Sequence, residues 1–545
     1  MIHDIRVFRA RRIITMNASR PIATHVAVRE GRILGVGGAE VLDAFGPATL
    51  DDRFADRVIV PGFVEGHGHA ADGLNWRNTY VGYFPRTAPD GTHHPGFADI
   101  AGVVAHLRGI EAAMADPAMP LIAWGFDPIY FDGPRMTLAD LDSVSTTRMI
   151  VVAHVSGHIL NVNSAVLARA GLSADSNLQG LARDAAGRLT GELQGPAVMG
   201  RANRATQDGG LLRVLDVPGL RDYARLTRRV GVTTSTDLAN PLPDESVSAL
   251  RAATAEDDFP LRLVPALRAR DWGLEDGVAR VTALKRMNTD KLWFGIAKLV
   301  VDGSIQGFTA RLRWPGYHNG EPNGLWYVAP AELGQIIEAY HRAGHQLHIH
   351  TNGDEASELA TEMIGRAVAA HPRPDHRHTL QHCQMADEAI FRRMAARGMC
   401  VNLFANHIYY WGDQHRALTM GPSRAERLDA CGTALRAGVP LAIHSDTPVT
   451  PVNPLFTMWC AVNRVTASGQ VLGQHERITP TQALHAVTLG AAYTLHMDHA
   501  IGSLDVGKFA DFAVLDDDPL RVPPMAIRQV GVTATVLGGH VFDNA

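Results

Sequence analysis

Eight short apolar runs recur along the chain, separated by longer segments with helical periodicity. The runs cover residues 58–63, 231–236, 261–267, 294–301, 346–350, 378–382, 399–404 and 440–444. Segments between them, such as PAELGQIIEAYHRAG, repeat apolar residues at helical spacing and end in glycine. Strands alternating with helices are typical of a parallel sheet, and eight such units suffice for a closed barrel. The pattern therefore predicts an α/β fold with a (β/α)8 TIM-like barrel.

Both ends of the chain have strand-like patterns without an intervening helical pattern. HVAVREGRILGVGG contains two alternating runs around Glu30 and Gly31, which predicts a hairpin. The C-terminal segment DFAVLDDDPL and the following VGVTATVLGGHVF have the same character. Because neither end supplies a complete partner for its own apolar face, we predict one small β-sandwich built from residues 1–57 and 496–545. The barrel would then occupy residues 58–495.

A long stretch from about residue 71 to residue 215 separates the first barrel run from the second. It contains the glycine- and proline-rich TAPDGTHHPGFAD and the apolar MIVVAHVSGHILNVNSAVL. Loops of this size usually have a function, and in barrels they often cover the active site. We predict an inserted subdomain that shapes the pocket.

The composition narrows the classes of partner. Hydrophobic residues make up 46% of the 545 residues, charged residues 20%, and the formal net charge is −5. Without a basic run, neither nucleic acid nor an anionic membrane is an expected partner, whereas a small molecule is. A homodimer is left open. The N-terminus lacks an apolar signal region, and no run is long enough to span a bilayer.

The cysteines also bear on location. They lie far apart and do not form a C-x-x-C motif, so neither a disulfide framework nor a thiolate zinc site is indicated. They are Cys383, Cys400, Cys431 and Cys460. A reducing, cytoplasmic location is the simplest interpretation.

Six side chains with metal-binding chemistry follow the apolar runs. They are His67, His69, Lys298, His350, His382 and Asp446. Residues two apart on a strand share a face, so the first two histidines can converge on one ion. Imidazole and carboxylate groups are ordinary zinc ligands, and a catalytic site keeps a position for water. An isolated H-x-H would indicate only a strand end, but partners at four other strand ends favour a metal site, because the carboxyl ends of barrel strands meet.

Lys298 is the unusual member of this set, because an ammonium group repels a cation. Two interpretations remain open. The lysine is a bystander, or its amine has reacted with carbon dioxide to give a carbamate whose two oxygens can bridge two ions. Burial beside cations would favour the neutral amine that the reaction requires.

Several motifs occur in an order that resembles the amidohydrolase superfamily, and within it the branch of N-substituted formamide deformylases. They are PGFVEGHGH, KLVVDGS, HTNGD, QHCQ, HSDTPV and GSLDVGKFADFAVLD. The resemblance extends almost end to end. It implies two divalent ions, expected to be Zn²⁺, bridged by an N6-carboxylated Lys298, with the other five residues of the set as the remaining ligands.

The chain departs from the family pattern at two places. Members commonly carry a glutamate shortly after the TGEL segment, whereas this chain has Gly195 in TGELQGPA, and whether Glu192 replaces that glutamate is open. Arginine is also common four residues before the sixth-strand histidine, where this chain has His378.

The expected reaction is hydrolysis by a metal-activated hydroxide. Asp446 is the expected general acid/base as well as a ligand, because a carboxylate bound through one oxygen keeps the other available. His158, in a segment that resembles one near the substrate in relatives, is either a hydrogen-bond donor to the substrate carbonyl or a structural histidine. Asp302 and Asp354 either orient metal ligands or form turns.

Three functional hypotheses follow. The first is cleavage of a C–N, amide-type bond in a small N-acyl or N-formyl compound. The second keeps the metal centre but changes the bond to a lactone, carbamate or cyclic amide, and the third is an inactive barrel that serves as a binding protein. Aromatic residues His407, Tyr409 and Trp411 either line a pocket or pack beneath a loop.

Overall fold

The computed structural model describes residues 5–206 and 214–544. Residues 207–213, which belong to the predicted insert, lie outside this description, as do residues 1–4 and 545. Two sheets of eight strands and one of six strands account for most of the strands described.

The eight-stranded parallel sheet forms the barrel, and each strand lies beside the next one in chain order. Barrel strands 1 to 8 are Phe63–Glu65, Val232–Asn240, Arg262–Arg268, Ile296–Val300, Gln346–Thr351, Thr379–His382, Cys400–Leu403 and Leu441–Ile443. The predicted α/β fold is confirmed, with eight strands in one curled parallel sheet of TIM-like order, and strands 2 to 8 overlap the predicted apolar runs.

Helices connect the barrel strands or follow the last of them. They are Asp72–Asn75, Val217–Arg228, Asp244–Ala255, Leu274–Lys285, Pro330–Arg342, Asp354–Ala370, Glu388–Ala396, Asn406–Gln414, Gly421–Ala425, Cys431–Arg436, Pro454–Asn463, Pro480–Ala486 and Leu489–Thr494. Short 3-10 helices cover Ala39–Leu42, Pro128–Tyr130, Ala269–Asp271, Gln474–Glu476 and Pro524–Gln529, and a π-helical turn covers His415–Thr419. Within residues 5–206 and 214–544, no helix combines the length and apolar character that crossing a bilayer requires.

Barrel strands 1 and 8 are the two ends of the sheet, and the residues that follow them bring them together. The His69 amide donates to the Thr447 carbonyl across 2.9 Å. The Ser445 hydroxyl donates to Glu65 Oε2 across 2.6 Å. The segments that carry the first and last proposed ligands are therefore fixed to each other directly.

Side chains alternate between the helices and the barrel interior. In strand 5, Leu347 and Ile349 pack in the core shared with the helices. His348 and His350 project to the opposite face, as the two-residue period of a strand requires. Apolar residues also fill part of the interior, where Val64, Ile296 and Ala442 pack against helix Leu489–Thr494. The polar groups of the barrel interior therefore lie nearer the carboxyl ends of the strands than this apolar cluster does.

The second eight-stranded sheet joins both ends of the chain and is called the terminal sheet. Its strands are Ile5–Ile14, Ile22–Arg29, Arg32–Gly37, Ala48–Asp51, Val58–Pro61, Phe512–Leu515, Val532–Leu537 and His540–Asp543. The predicted hairpin is present, and its turn uses Glu30 and Gly31 at φ 51° and 73°. These left-handed angles are those of a tight hairpin turn. That the sheet belongs to a two-layered sandwich stays a prediction.

The first apolar run divides between two sheets, which the sequence did not indicate. Residues Val58–Pro61 pair with Ile5–Ile14 and Phe512–Leu515 in the terminal sheet, whereas Phe63–Glu65 begins the barrel. Gly62 lies at the transition, where a Cβ atom would overlap with the side chain of Thr233 on barrel strand 2. Glycine allows this close approach of backbone and side chain.

The six-stranded sheet lies in the segment after barrel strand 1 and is called the insert sheet. Its strands are Thr79–Tyr80, Leu121–Phe126, Ile150–His154, Ile159–Val162, Leu181–Arg183 and Leu189–Gln194, and the helices around it are Ile100–Ala113, Leu138–Asp142, Ser164–Arg169 and Pro196–Ala205. A short hairpin pairs Arg86–Thr87 with His93–His94. The apolar residues of the insert sheet and of the helices around it pack into two clusters with each other. Its status as a separate subdomain, and the predicted domain boundaries, stay predictions.

Candidate metal centre

The structure brings the six predicted ligand residues together at the carboxyl ends of the barrel strands. His67 Nε2 and His69 Nε2 lie 3.3 Å and 3.2 Å from the same oxygen of Asp446, Oδ1. Ligand atoms that share a tetrahedral zinc ion at about 2.1 Å lie about 3.4 Å apart. The spacing of these three atoms therefore fits one shared cation.

The remaining ring nitrogens of the first two histidines have acceptors that fix their orientation. His67 Nδ1 lies 2.8 Å from Gln381 Oε1, and His69 Nδ1 lies 2.6 Å from the Leu238 carbonyl. Because an oxygen of this type only accepts, each Nδ1 carries a proton. In His67, whose pKa burial lowers, Nε2 is then the lone pair that faces Asp446. Acceptors of this kind usually orient histidines that bind metals.

His350 and His382 form the other side of the group. Their ring centroids are 4.5 Å apart, and the His382 ring lies 4.4 Å from that of His67. His382 has a backbone φ of 66°, in the left-handed region. This angle breaks the strand alternation, so that His382 and its neighbour Gln381 both face the interior.

Lys298 lies among these groups, and its amine is isolated. The residue is 1% exposed, and within the described parts of the chain its Nζ has no hydrogen-bond partner. Burial lowers the pKa of Lys298 to about 7, although the charge of Asp446 opposes this shift. A buried polar atom without a partner is costly, so the donor set fits a lysine that is modified or meets a group from outside the chain.

The surrounding histidines favour their neutral, metal-binding form. Burial lowers the pKa of five of them, and the charge of Lys298 contributes in each case; they are His67, His158, His350, His382 and His444. For His69, burial is outweighed by the hydrogen bond and charge of Asp446, which raise its pKa. Neutral imidazoles supply the lone pairs that a divalent cation needs.

Asp302 and Asp354 have different surroundings. Asp302 accepts hydrogen bonds from the backbone amides of Asn352 and Gly353, each at 2.9 Å, and its Oδ1 lies 3.7 Å from His350 Nε2. Burial raises the pKa of Asp302 to about 7. Asp354 instead accepts from the Arg313 amide at the start of a helix. Of the two, Asp302 is in a position to orient a ligand.

His158 reaches the centre from the insert sheet. Its ring lies 5.1 Å from the His350 ring and 5.5 Å from Tyr327, and burial lowers its pKa to about 4. The Gly195 amide donates to the His158 carbonyl across 3.0 Å. Glu192 is held by Arg135 Nη2 at 2.6 Å and by the amide of Gln194.

Gly195 has a φ of 82°, and a Cβ atom there would lie 3.2 Å from the Tyr327 ring. A glutamate at this position would thus require both a left-handed backbone and a shift of the tyrosine. Glycine at this position therefore suits the backbone and the neighbouring tyrosine that the structure has there.

His378, the other departure, has structural contacts. Its Nε2 lies 2.8 Å from His341 Nδ1, while its Nδ1 accepts from the Leu347 amide at 3.0 Å. His378 also begins the segment that leads into barrel strand 6, at the end opposite to the ligands.

The aromatic run after barrel strand 7 is mostly packed. Trp411 is 1% exposed and donates Nε1 to Asp127 Oδ2 across 2.9 Å, and its ring lies 4.4 Å from His407. Tyr409 packs against the rings of Phe456 and Trp459. The Trp411 hydrogen bond joins this segment to the insert, while Tyr409 packs against helix Pro454–Asn463. The three side chains are therefore packed and do not form one exposed wall of a pocket.

Sequence reasoning missed two neighbours of the proposed ligands and left a third open. Glu65, two residues before His67, accepts from the His67 amide and from Ser445, and burial raises its pKa to about 7. His444 Nε2 lies 3.1 Å from His382 Nδ1, and its ring stacks 4.7 Å from His67. Their two-residue spacing from His67 and Asp446 was the available signal; Gln381 had none, because its partner lies across the barrel.

Ligand atoms converge in two trios within the described residues, His67 with His69 and Asp446, and His67 with His382 and His444. Together with the isolated amine of Lys298, these trios fit a centre for divalent cations. The roles of the individual residues stay predictions.

Comparisons with known proteins cover nearly the whole chain. The model of the amidohydrolase family matches residues 55–542. The putative amidohydrolase YtcJ of Bacillus subtilis (strain 168) is 26% identical over 95% of each chain. The N-substituted formamide deformylase of Arthrobacter pascens is 25% identical over 99% of this chain and 98% of its own.

A solved structure supports the same architecture. An uncharacterized metal-dependent hydrolase from Pyrococcus horikoshii OT3 superposes with a TM-score of 0.71 at 18% identity, covering 96% of this chain and 99% of that chain. At this identity the likeness establishes the fold, whereas the relatives above support hydrolase activity. The family match and the barrel together confirm the predicted resemblance, and the chain belongs to the amidohydrolase family.

Proposed function

We propose that the protein hydrolyses a C–N bond of amide type in a small N-acyl or N-formyl compound, with two zinc ions as cofactors. The observation that carries this proposal is the buried amine of Lys298, without a hydrogen-bond partner in the described chain, among histidines and Asp446 at the mouth of the barrel. Buried titratable groups with shifted pKa values that cluster in this way are typical of catalytic sites, which favours an enzyme over a binding protein.

We propose that Lys298 is N6-carboxylated. Its neutral amine would attack carbon dioxide, form one N–C bond and release one proton, which gives a carbamate with two oxygen ligands. His67, His69 and Asp446 would hold one cation, and His350 and His382 the other. The carbamate would give the isolated Nζ atom a role and place negative charge among neutral imidazoles.

When bound, such cations activate a water molecule and polarise the substrate carbonyl. Asp446 is the proposed general acid/base: it would take a proton from the attacking water and deliver it to the leaving nitrogen. Its 3.2 Å and 3.3 Å contacts use Oδ1, while Oδ2 lies 3.9 Å from His382 Nδ1. The second oxygen is thus available for proton transfer.

His158 is proposed to contact the carbonyl oxygen of the substrate. It lies beside His350, and its ring nitrogens have no hydrogen-bond partner among the described residues. Burial keeps it neutral, so one N–H remains to donate. The insert would thereby complete the pocket, since Tyr130 and Arg86 also donate to carbonyls of Tyr410 and Val449 on barrel loops.

We also propose a cytoplasmic location and a small-molecule substrate, with no nucleic acid or membrane as partner. All four cysteines are free and buried, which suits a reducing compartment. The proposed domains are a sandwich from residues 1–57 and 496–545 and a barrel of 58–495 with an insert at 71–215. The grouping of most described strands into a terminal sheet, a barrel sheet and an insert sheet supports this proposal.

Metal analysis tests the centre. Chelator-treated protein dialysed against zinc and bicarbonate should bind about two ions per chain. Lys298→Ala should lose at least one ion and recover part of it with added formate or acetate, whereas Lys285→Ala, on an exposed helix face, should keep the parental content. Zinc-free parent protein would support the binding-protein hypothesis, and full occupancy of Lys298→Ala without added acid would show that the lysine is a bystander.

A substrate panel tests the bond. N-formyl and N-acetyl amines should release amine, detected with an amine-reactive dye, whereas a lactone, carbamate and cyclic amide panel reports the alternative activity. Turnover confined to the second panel, in protein with two bound ions, would reject the proposed bond while leaving the metal centre intact.

A further inference from the structure

We infer that Gln381 is a positioning residue, which sets the tautomer and ring orientation of His67 through a hydrogen-bond chain inside the barrel. This inference rests on the proposed function, because it assigns His67 a metal. Gln381 is 0% exposed and lies one residue before His382 on barrel strand 6. Its Oε1 is 2.8 Å from His67 Nδ1, although barrel strands 2 to 5 lie between strand 6 and strand 1 in the order of the sheet.

The positions of the protons are fixed at the end of this hydrogen-bond chain that lies farthest from His67. His348 Nε2 lies 2.9 Å from the carbonyl of Thr494, in the helix that packs against the barrel interior. Since a carbonyl only accepts, His348 Nε2 carries the proton of this neutral ring. His348 Nδ1 is therefore a lone pair that needs a donor.

Gln381 supplies that donor. Its Nε2 lies 2.8 Å from His348 Nδ1, so the amide nitrogen must face His348 and the amide oxygen must face His67. Asn402 Nδ2 donates to the same Oε1 at 3.0 Å, which further disfavours a flipped amide. If the Gln381 amide were flipped, its NH2 group would face the NH2 group of Asn402, and its oxygen would face His348 Nδ1, which would then have no donor.

The consequence reaches the metal centre. With Oε1 as its only acceptor, His67 Nδ1 must carry the proton, and Nε2 is left as a lone pair 3.3 Å from Asp446 Oδ1. Thus the backbone carbonyl of Thr494 determines, through His348 and Gln381, which nitrogen of His67 is free to bind a cation. Partners of this kind commonly contribute about 10–100-fold in metal affinity.

The chain offers a matched control. Gln346 is also buried in the barrel interior, and its Nε2 donates to the same Thr494 carbonyl at 2.8 Å and to the Arg377 carbonyl at 2.7 Å. It has the same side chain and a comparable environment, but no hydrogen bond with a proposed ligand. Loss of its amide should affect stability without affecting metal affinity.

The experiment measures Co²⁺ binding to the chelator-treated full chain, by visible absorption and by competition with a chelator. Gln381→Met should weaken binding of at least one ion about 10–100-fold and alter the absorption bands of the bound ion. Gln381→Glu keeps an acceptor for His67 Nδ1 and should restore affinity to within about threefold of the parent. Gln346→Met should also stay within about threefold, whatever its unfolding midpoint.

Parental affinity and spectrum in Gln381→Met would overturn the inference, as would an equal loss of affinity in Gln346→Met. If Gln381→Met does not fold, His348→Phe removes the acceptor of Gln381 Nε2 and should still weaken Co²⁺ binding. Unchanged Co²⁺ binding in His348→Phe would equally contradict the proposed hydrogen-bond chain. No cobalt binding by the parent would overturn the proposed function together with this inference, whereas a normal parent with an unaffected Gln381→Met would overturn the inference alone.

Discussion

Left-handed backbone angles mark two of the proposed ligands, His382 at φ 66° and Asp446 at φ 54°. Such angles cost about 1–3 kcal/mol in residues other than glycine and persist where the surroundings fix them. The two-residue period of the strand would direct the His382 side chain towards the helices, whereas the left-handed angle turns it into the site. Individual residues thus carry strain that a cation-binding cluster would offset.

At the residue scale, Asp446→Asn tests the acid/base assignment. An amide cannot take a proton from water at neutral pH, so kcat on a substrate of the parent should fall about 10²–10⁴-fold. The measurement is steady-state kinetics, with metal content and circular dichroism recorded for the same samples.

Asp290→Asn is the control, since Asp290 lies on the surface in a pair with Arg32, with its side chain 78% exposed. Its kcat should match that of the parent. Parental turnover by Asp446→Asn at normal metal content would remove the acid/base role from this residue.

At the scale of elements, the junction between the terminal sheet and the barrel depends on a single glycine. Val58–Pro61 and Phe63–Glu65 belong to different sheets, and Gly62 between them faces the side chain of Thr233. A short connection without a side chain allows the strand to leave one sheet and enter the next within one residue. The ligands His67 and His69 follow directly, so the junction also positions the metal centre.

Gly62→Ala should destabilise the protein by about 1–3 kcal/mol, because the added methyl group overlaps with Thr233. Gly109→Ala is the matched change: it lies on helix Ile100–Ala113 with no atom near the added Cβ. Helix propensity predicts that this second change stabilises the protein by up to about 1 kcal/mol. Urea unfolding of both variants measures the difference, and equal midpoints would contradict the account of the junction.

At the scale of the whole molecule, a buried ion pair connects the terminal sheet to the barrel. Arg262, the first residue of barrel strand 3, donates Nη2 to Asp511 Oδ2 across 3.0 Å, with both side chains at most 4% exposed. Asp511 also accepts from the Gly538 amide, and the Arg262 guanidinium lies 4.0 Å from the Phe509 ring. The two sheets are therefore coupled through charges that water does not screen.

Arg262→Met should lower the free energy of unfolding by about 3–5 kcal/mol, because it leaves the carboxylate of Asp511 buried without its partner. Arg188→Met removes a surface pair, with the arginine 81% exposed, and should change stability by no more than about 0.5 kcal/mol. Chemical denaturation of both variants tests this, and an Arg262→Met protein as stable as the parent would show that the pair contributes little.

Local patterns in the sequence determined much of the architecture. The period of the apolar runs predicted seven barrel strands closely, since strand and helix periods are properties of neighbouring residues. The position of polar residues after those runs predicted that six side chains would meet, because parallel strands place their carboxyl ends at one edge. The hairpin at Glu30 and Gly31 followed from turn chemistry in the same way.

Only the tertiary structure decided which groups meet across the barrel. His67 and Gln381, His382 and His444, and Arg262 and Asp511 are far apart in the chain, and their contacts depend on how the sheet curls. The division at Gly62 likewise depends on Thr233 of another strand. The sequence therefore determined which chemistry was present and at which ends of the strands, while the curled arrangement of those strands decided which side chains orient the proposed ligands.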